Sequence, residues 1–454
     1  DRGILEDGPK LDMATRRRTA LNLTVVGGIL VVSGLLALRL LNPDRYRPDL
    51  ISYFEDKTGK KTDIARVALT LFPKVTIHLY GLSVKSPPPF PPGDVVKVAE
   101  ADAVIDPWSL LHGAVVIRSL VLRDLAINLL SAPDGRWNFE NPQAATAKNT
   151  FPMGIIDRVV IERAQLTLAN VLPSGAVGAA FVEAHDIASD LTVVNLAAIV
   201  NPSSPSLNGQ GTWQAGRVRF GAVETTTVNS TVRLESWKVS ITHVNAHAYT
   251  GSITGNFSLS LATKNASITT DARMSGIDMA SLLAAFHEQR TSMTGTLEGD
   301  LQLAGEVEHT ANPLAGLHGT GHARVTNGQV PSLMSDPNIS KLAPFNDQGP
   351  AREHPSSFAS ISADLQLADL WVASKAVDID GFGLDVDGSG RVSVSGSDEL
   401  NYRGLATITT KQSFWTNLFA RLGGATLKAG RLTFPFRIEG SIENPRFSKA
   451  TTEK

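Results

Sequence analysis

Twenty consecutive residues, from Thr19 to Leu38 (TALNLTVVGGILVVSGLLAL), carry no charged side chain. As a helix rising about 1.5 Å per residue they cover roughly 30 Å, the thickness of the hydrocarbon layer of a bilayer. Only a helix satisfies its own backbone there. The sequence therefore predicts a transmembrane signal anchor over residues 19–41, preceded by a tail of residues 1–18. The rival is a cleaved secretory signal, but its apolar core spans only about 7–15 residues, and the best cleavage site here, Val32-Ser33-Gly34, is poor.

Lys and Arg flanking residues 19–41 are evenly split, with Arg2, Lys10, Arg16, Arg17 and Arg18 before the segment and Arg45, Arg47, Lys57, Lys60 and Lys61 after it. The triplet Arg16-Arg17-Arg18 abuts the apolar stretch. A short tail beside such a cluster stays in the cytoplasm, while a long downstream domain translocates largely regardless of charge. The expectation is a single-pass protein with its amino-terminal tail cytoplasmic and everything from Asn42 onward outside.

The rest of the chain must place an unusual amount of apolar surface. Hydrophobic residues are 42% of the sequence and charged ones 19%, below the usual share of about 25%. With 42 basic and 44 acidic residues there is no global field, and no basic cluster interleaved with aromatics lies outside the anchor flank, which argues against nucleic acid as a partner. The absence of cysteine excludes disulfides, thiolate metal sites and a cysteine nucleophile.

Asn42 to Thr58 reads as a short amphipathic helix, with Pro48 near its first turn, Leu50, Ile51 and Phe54 on one face and Gly59 as the stop. From Thr62 the apolar period becomes two. Pairs and runs two apart recur to the end of the chain: Val239 and Ile241; Phe257, Leu259 and Leu261; Leu365 and Leu367; Leu384 and Val386; Val392 and Val394; Phe434, Phe436 and Ile438. Asn208-Gly209, Asn327-Gly328 and Asp387-Gly388 read as turns of an antiparallel meander. The polar stretch from Glu140 to Phe151 reads as a linker. A count of about 20–25 strands stacked at roughly 4.8 Å predicts a sheet about 100–120 Å long. Two amphipathic helices interrupt it. Asp278 caps Met279, Leu282, Leu283 and Phe286, and Ser413 precedes Phe414, Trp415, Leu418, Phe419 and Leu422, a distal helix suited to plug the sheet or to meet a membrane or partner.

No catalytic constellation is present in the sequence. Thr58-Gly59-Lys60-Lys61 lacks the upstream glycine and the following Ser or Thr of a P-loop, and Gly381-Phe382-Gly383 lacks the third glycine of a dinucleotide fingerprint. His243/His247 and His318/His322 are four residues apart on strands, roughly 13 Å, too far for one metal. The expectation is no enzyme, no cofactor and no metal.

Asn42-Pro43, Thr58-Gly59-Lys60, Leu71-Phe72-Pro73, Gly81-Leu82-Ser83-Val84, Trp108-Ser109-Leu110-Leu111 and Asp134-Gly135-Arg136-Trp137-Asn138-Phe139, in this order after an anchor, resemble the AsmA family of bacterial envelope proteins. Gly388-Ser389-Gly390-Arg391-Val392 and the stretch from Phe434 to Phe447 resemble its far end. Trp108 and Trp137 read as core anchors, Gly59 as a helix cap and Asn444-Pro445 as a terminal turn. The resemblance divides the chain into an AsmA-like amino-terminal region, 42–150, and a β-groove with an AsmA-like carboxy-terminal region, 151–454.

It further implies a mainly β fold in which a long antiparallel sheet curls into an open groove with a few short helices. Such a protein is anchored in the inner membrane, with its bulk periplasmic, and supports lipid supply to the outer membrane. No second apolar segment lies near Lys454, so one anchor is expected. The groove lining would come from the paired apolar residues named above, with phospholipid or another acyl-chain lipid as the bound partner. An outer-membrane or periplasmic protein would meet the carboxy-terminal end. The alternative function is a non-enzymatic scaffold or assembly factor for outer-membrane proteins, binding at an open sheet edge.

Overall fold

The computed structural model describes residues 43–111, 116–140, 155–195, 208–235, 237–261, 265–286, 293–308, 312–330, 357–381, 384–393, 399–409, 426–428, 431–441 and 445–449. The expected anchor, the linker beyond Glu140, the distal helix from Ser413 to Leu422 and the turn at Asn444 lie outside the described residues. Among the described residues no helix is long and apolar enough to cross a membrane.

The chain enters through a 3-10 turn (Pro43–Tyr46) and helix α1 (Arg47–Thr58). Proline suits the first turn because its missing N–H has no partner there anyway. Gly59 ends the helix as expected: at φ 65° it takes the left-handed cap conformation and donates its N–H to the Glu55 carbonyl. Two further helices follow, α2 (Pro107–Leu111) and α3 (Met279–Phe286). Asp278 caps α3 by accepting from the Ser281 N–H at 2.8 Å. Phe286, expected on the packed face of that helix, is 51% exposed at its last described position.

All strands belong to one sheet. They are β1 (Thr62–Asp63), β2 (Arg66–Thr70), β3 (Thr76–Lys85), β4 (Asp94–Ile105), β5 (Ile117–Ser131), β6 (Ile155–Val171), β7 (Val177–Asn195), β8 (Asn208–Phe220), β9 (Val223–Glu235), β10 (Lys238–Ala248) and β11 (Gly251–Ser260). The second half holds β12 (Ser267–Asp278), β13 (Thr296–Glu306), β14 (Leu317–Gln329), β15 (Ser357–Ala368), β16 (Trp371–Gly381), β17 (Leu384–Ser393), β18 (Glu399–Thr409), β19 (Thr426–Lys428), β20 (Arg431–Ser441) and β21 (Pro445–Lys449).

The twenty-one strands fill nineteen positions, because β1 and β2 share one edge of β3 while β19 and β21 share one edge of β20. Nineteen positions at about 4.8 Å give a sheet about 85 Å long, shorter than the 100–120 Å expected from the sequence.

The fold is mainly β, but the sheet is mixed rather than wholly antiparallel. β5 and β6 pair in parallel, with Ser119 opposite Arg158 and Ser131 opposite Asn170. A parallel neighbour requires the chain to return to the starting end, and residues 132–154 make that return. The turns read at Asn208-Gly209, Asn327-Gly328 and Asp387-Gly388 instead lie within β8, β14 and β17. Gly328 and Gly388 face backbone carbonyls and Gly209 the Val194 side chain, a need for small volume that looks like a turn signal in sequence.

A simple alternation also fails in the first half of the sheet. Gly81, Asp124, Arg163, Asp186 and Thr227 all have φ between 51° and 64°, in the left-handed region. The pairing puts them nearly in line: Gly81 faces Ala99, Ala99 faces Asp124, Asp124 faces Arg163, and Gly216 faces both Asp186 and Thr227. Each is a left-handed kink that changes the direction of its strand and moves the inward side by one residue, while β3, β4, β5 and β6 keep one register across the line. The buried side therefore steps by three at the line: Leu79 to Leu82, Leu122 to Leu125, Ile161 to Ala164, Ala184 to Ile187, Ala215 to Val218. Kinks at one level in β3, β5, β6, β7 and β9 crease this part of the sheet. The core along the crease contains Ala101, Ala164, Ala184, Ala215 and Ala246 among nine buried residues, because the inside of a tight bend has little volume for side chains.

Thr227 is the costliest member of this line, since a β-branched side chain disfavours φ near 51°. Thr227→Gly is expected to raise stability by about 0.5–1 kcal/mol, the relief of strain exceeding the entropy that glycine adds to the unfolded chain. Urea unfolding of the detergent-solubilised protein measures it, and a lowered midpoint would contradict the strain.

Candidate functional site

The kinks bend the sheet toward its apolar side, and from β10 to β20 the register carries that side from strand to strand. Ile241 faces Phe257, Phe257 faces Thr270, and the same row continues through Leu303, Gly319, Leu367, Val372 and Val392 to Leu400. A parallel row joins Ile361, Ile379, Val386, Ala406 and Phe434. Residues directly opposite share a face, so these form one concave apolar surface.

That surface is not equally open along its length. The Phe220 and Phe257 rings meet edge to face at 5.9 Å although β8 and β11 are three positions apart, about 14 Å along the sheet. Asn170, at the end of β6, donates to the Glu308 carbonyl beyond β13 at 2.6 Å, across seven positions. Phe139, after β5, stacks on Trp237, between β9 and β10, with centroids 4.9 Å apart, and on Trp137 from its other neighbour at 5.8 Å. One margin of the sheet thus meets the opposite margin over the concavity. Trp137, Leu168, Phe181, Ile268 and Val307 fill the space between, each 2% exposed or less.

The lining residues expected from the sequence fall into separate places. Phe257, Leu259, Leu261 and Leu367 join the closed stretch, and Leu259 is 7% exposed against the chain's own side chains. Val239 and Ile241 pack with Ile156, Val159, Leu191 and Val194 on another part of the concave side. Val386, Phe434, Phe436 and Ile438 gather with Ile379 and Ala406 near the far end. Leu365 and Val392 face the same side by register and are half-buried. Val394 and the side chain of Leu384 lie outside the described residues, as does the whole helix of Phe414, Trp415, Leu418, Phe419 and Leu422.

Glycines complete the surface. Phe436 lies over Gly388 and Gly404, where a Cβ on Gly404 would stand 2.9 Å from the ring, and Tyr402 lies against Gly390. Burial raises the pKa of the Tyr402 hydroxyl and keeps it neutral. In β13 and β14 the same economy interleaves Leu301 with Gly321 and Leu303 with Gly319. These glycines and the aromatic stack at Phe139 and Trp237 are the parts that periodicity does not reveal. The repeated Leu-x-Gly and Gly-x-Gly spacing was the available signal.

Ion pairs line the convex side. Arg123 bridges Asp102, Glu100 and Glu162, Arg163 pairs with Asp124, and Arg158 with Asp190. His78, Glu100 and Asp102 lie close enough together to hold a metal ion, but the Arg123 guanidinium already supplies their positive charge. A cavity of about 510 Å³ under α3 is lined by Glu224, Thr226, His247, Tyr249 and Ser281, with the Tyr249 hydroxyl accepting from the Glu224 N–H at 3.1 Å.

Trp137 takes the core position expected of it, whereas Trp108 is 70% exposed rather than buried, since α2 projects beyond the sheet end. The segment carrying Trp137 is held by Lys60. Its ammonium donates to the Phe139 and Glu140 carbonyls, each at 2.9 Å, and to the Thr58 carbonyl at 3.4 Å, while the residue is 6% exposed. Burial pushes its pKa from 10.5 to about 8, with Glu140 acting in the opposite direction.

Two outcomes follow for Lys60. Replacement by Met leaves two buried carbonyls without a donor and is expected to cost about 1–3 kcal/mol, read as a lowered urea midpoint. In the wild-type protein the unfolded state binds more protons at this residue between its two pKa values, so its contribution to stability rises from pH 8 toward 10.5 and is flat below 8. Tyr53, pushed up to about 12, opposes this above pH 10, so the comparison of wild type with Lys60→Met belongs between pH 8 and 10.

No curated protein and no solved structure matches the chain. Its amino-terminal part does match a family model: the chain carries a domain of the AsmA family, a family that points to the cell envelope, at residues 16–154.

Proposed function

We propose that this is a non-enzymatic envelope protein, anchored in the inner membrane by residues 19–41, that holds phospholipid acyl chains against the concave face of its sheet and supports lipid transport to the outer membrane. The observation that carries the reading is the division of the sheet: an apolar side carried in register from β10 to β20, and ion pairs on the other side. Acyl chains match such a surface without requiring polar recognition, and phospholipid is the abundant source of them in an envelope.

The accessible stretch in this reading is the carboxy-terminal one. Among the described residues from β15 to β20 the buried apolar ones are Phe358, Val386, Ala406, Leu432 and Phe436, while Leu365, Val372, Ile379, Val392 and Ile438 keep partial exposure. The closed stretch around Trp137 and Ile268 favours the second reading, a scaffold whose sheet is packed and whose short edge at β19 and β21 receives a protein strand.

Co-purified lipid separates the two. A photo-crosslinking residue at Ile438 or Val392 is expected to capture phospholipid in cells, identified by mass spectrometry, and the same residue at the outward Arg437 is not. Capture of protein alone at both concave positions would favour the scaffold.

A further inference from the structure

We propose that Phe72, Trp108, Leu71 and Tyr46 form an aromatic foot seated in the headgroup region of the membrane that anchors the chain, an inference resting on the reading of residues 19–41 as a span. Phe72 is 87% exposed, Trp108 70%, Tyr46 44% and Leu71 42%. These are four of the seven large hydrophobic residues exposed among the described residues, gathered in a small part of the molecule.

The fold brings them together. Phe72 lies in the turn between β2 and β3, three residues before Val75, and Trp108 opens α2 three residues after Ile105. The Ile105 N–H donates to the Val75 carbonyl at 2.8 Å, so both aromatics project from the same end of neighbouring strands, each within about 10 Å of that bond. Tyr46 is tied to the same strands, because Asp44 in its turn accepts from the Val67 N–H at 3.0 Å, five residues before Phe72.

The occupant follows from where the apolar run ends. Tyr46 is the fifth residue after Leu41, so its backbone lies within about 17 Å of the end of the expected span. Exposed Trp, Tyr and Phe beside cations suit the interface, where rings meet headgroups and Lys or Arg reaches phosphate. Arg45 lies over the Tyr46 ring at 5.1 Å, and Lys74 is exposed in the Phe72 turn. Seating these loops would fix the tilt of the first strands, and hence the direction in which the concave face opens, more firmly than a single flexible anchor does.

The absence of cysteine makes the test direct, since Phe72→Cys and Trp108→Cys each give the full chain one thiol for an environment-sensitive fluorophore. Ala188→Cys, exposed on the outward side of β7, is the control. In vesicles of phosphatidylcholine and phosphatidylglycerol, labels at 72 and 108 are expected to emit further to the blue and to be quenched several-fold more strongly by headgroup nitroxide lipids than the label at 188. Equal quenching at the three positions overturns the foot. Flotation of the same samples keeps the two readings apart: a chain that floats with unquenched labels has its anchor and lacks the foot, while one that does not float has neither. Thiols shielded in cell membranes but not in protein-free vesicles would assign the patch to a protein partner and overturn the lipid assignment.

Discussion

A sheet nineteen positions wide with one apolar side cannot lie flat in water. Open twisted sheets seldom exceed about ten strands without curling or splitting, because each added strand enlarges the apolar area facing solvent. This sheet curls, and curling shrinks the volume available on the inner side. Alanine along the crease, glycine opposite leucine in β13 and β14, and glycines beneath Phe436 and Tyr402 answer that shortage in three different places. Larger residues at these positions would flatten the curl before they improved any contact.

The convex side follows from the same bend. Strands that kink outward open their neighbours' outer side chains to water, and long charged residues span the wider spacing there. Asp124 and Arg163 show the coupling most directly: they face each other on the line of kinks, both left-handed, and their side chains pair at 2.8 Å. Such exposed pairs contribute little stability individually. Their effect is to make the outer side unfit for burial, so that the direction of the curl has no competitor.

Much of this could be read in the residues. Period two identified the strands and the shared apolar side, Gly59 identified the helix stop, and the motifs through Trp137-Asn138-Phe139 identified the family domain. What periodicity missed was the step of three at each left-handed kink. In sequence, Leu122-Arg123-Asp124-Leu125 looks like a lapse in the pattern, and only its recurrence in Ile161-Glu162-Arg163-Ala164 and Ala184-His185-Asp186-Ile187 marks it as a feature. The parallel step from β5 to β6 was illegible because pairing direction depends on the path of residues 132–154, and no side-chain pattern encodes that path. The meeting of opposite margins at Asn170 and Glu308 was hidden for a related reason: 138 residues separate the partners.

That meeting bears on how a lipid would use the concave face. Trp137, Leu168, Phe181, Leu259, Ile268, Val307 and Leu317 are all buried in the closed stretch. Exposing a large apolar side chain costs about 1.5–3 kcal/mol, so parting the seven of them would cost roughly 10–20 kcal/mol before any bound acyl chain repaid part of it. Openings of that size are comparable to the stability of a whole domain. A chain sliding from the anchor to the far edge would have to displace these residues one after another, with its own methylenes replacing each contact as it was lost. Holding acyl chains beyond the closed stretch, over Leu365, Val392 and Ile438, requires no such displacement. In the proposed role, the aromatic core around Trp137 would fix the amino-terminal half as a support, and acyl chains would lie against the half whose described aliphatic residues Leu365, Val392 and Ile438 are only half-buried.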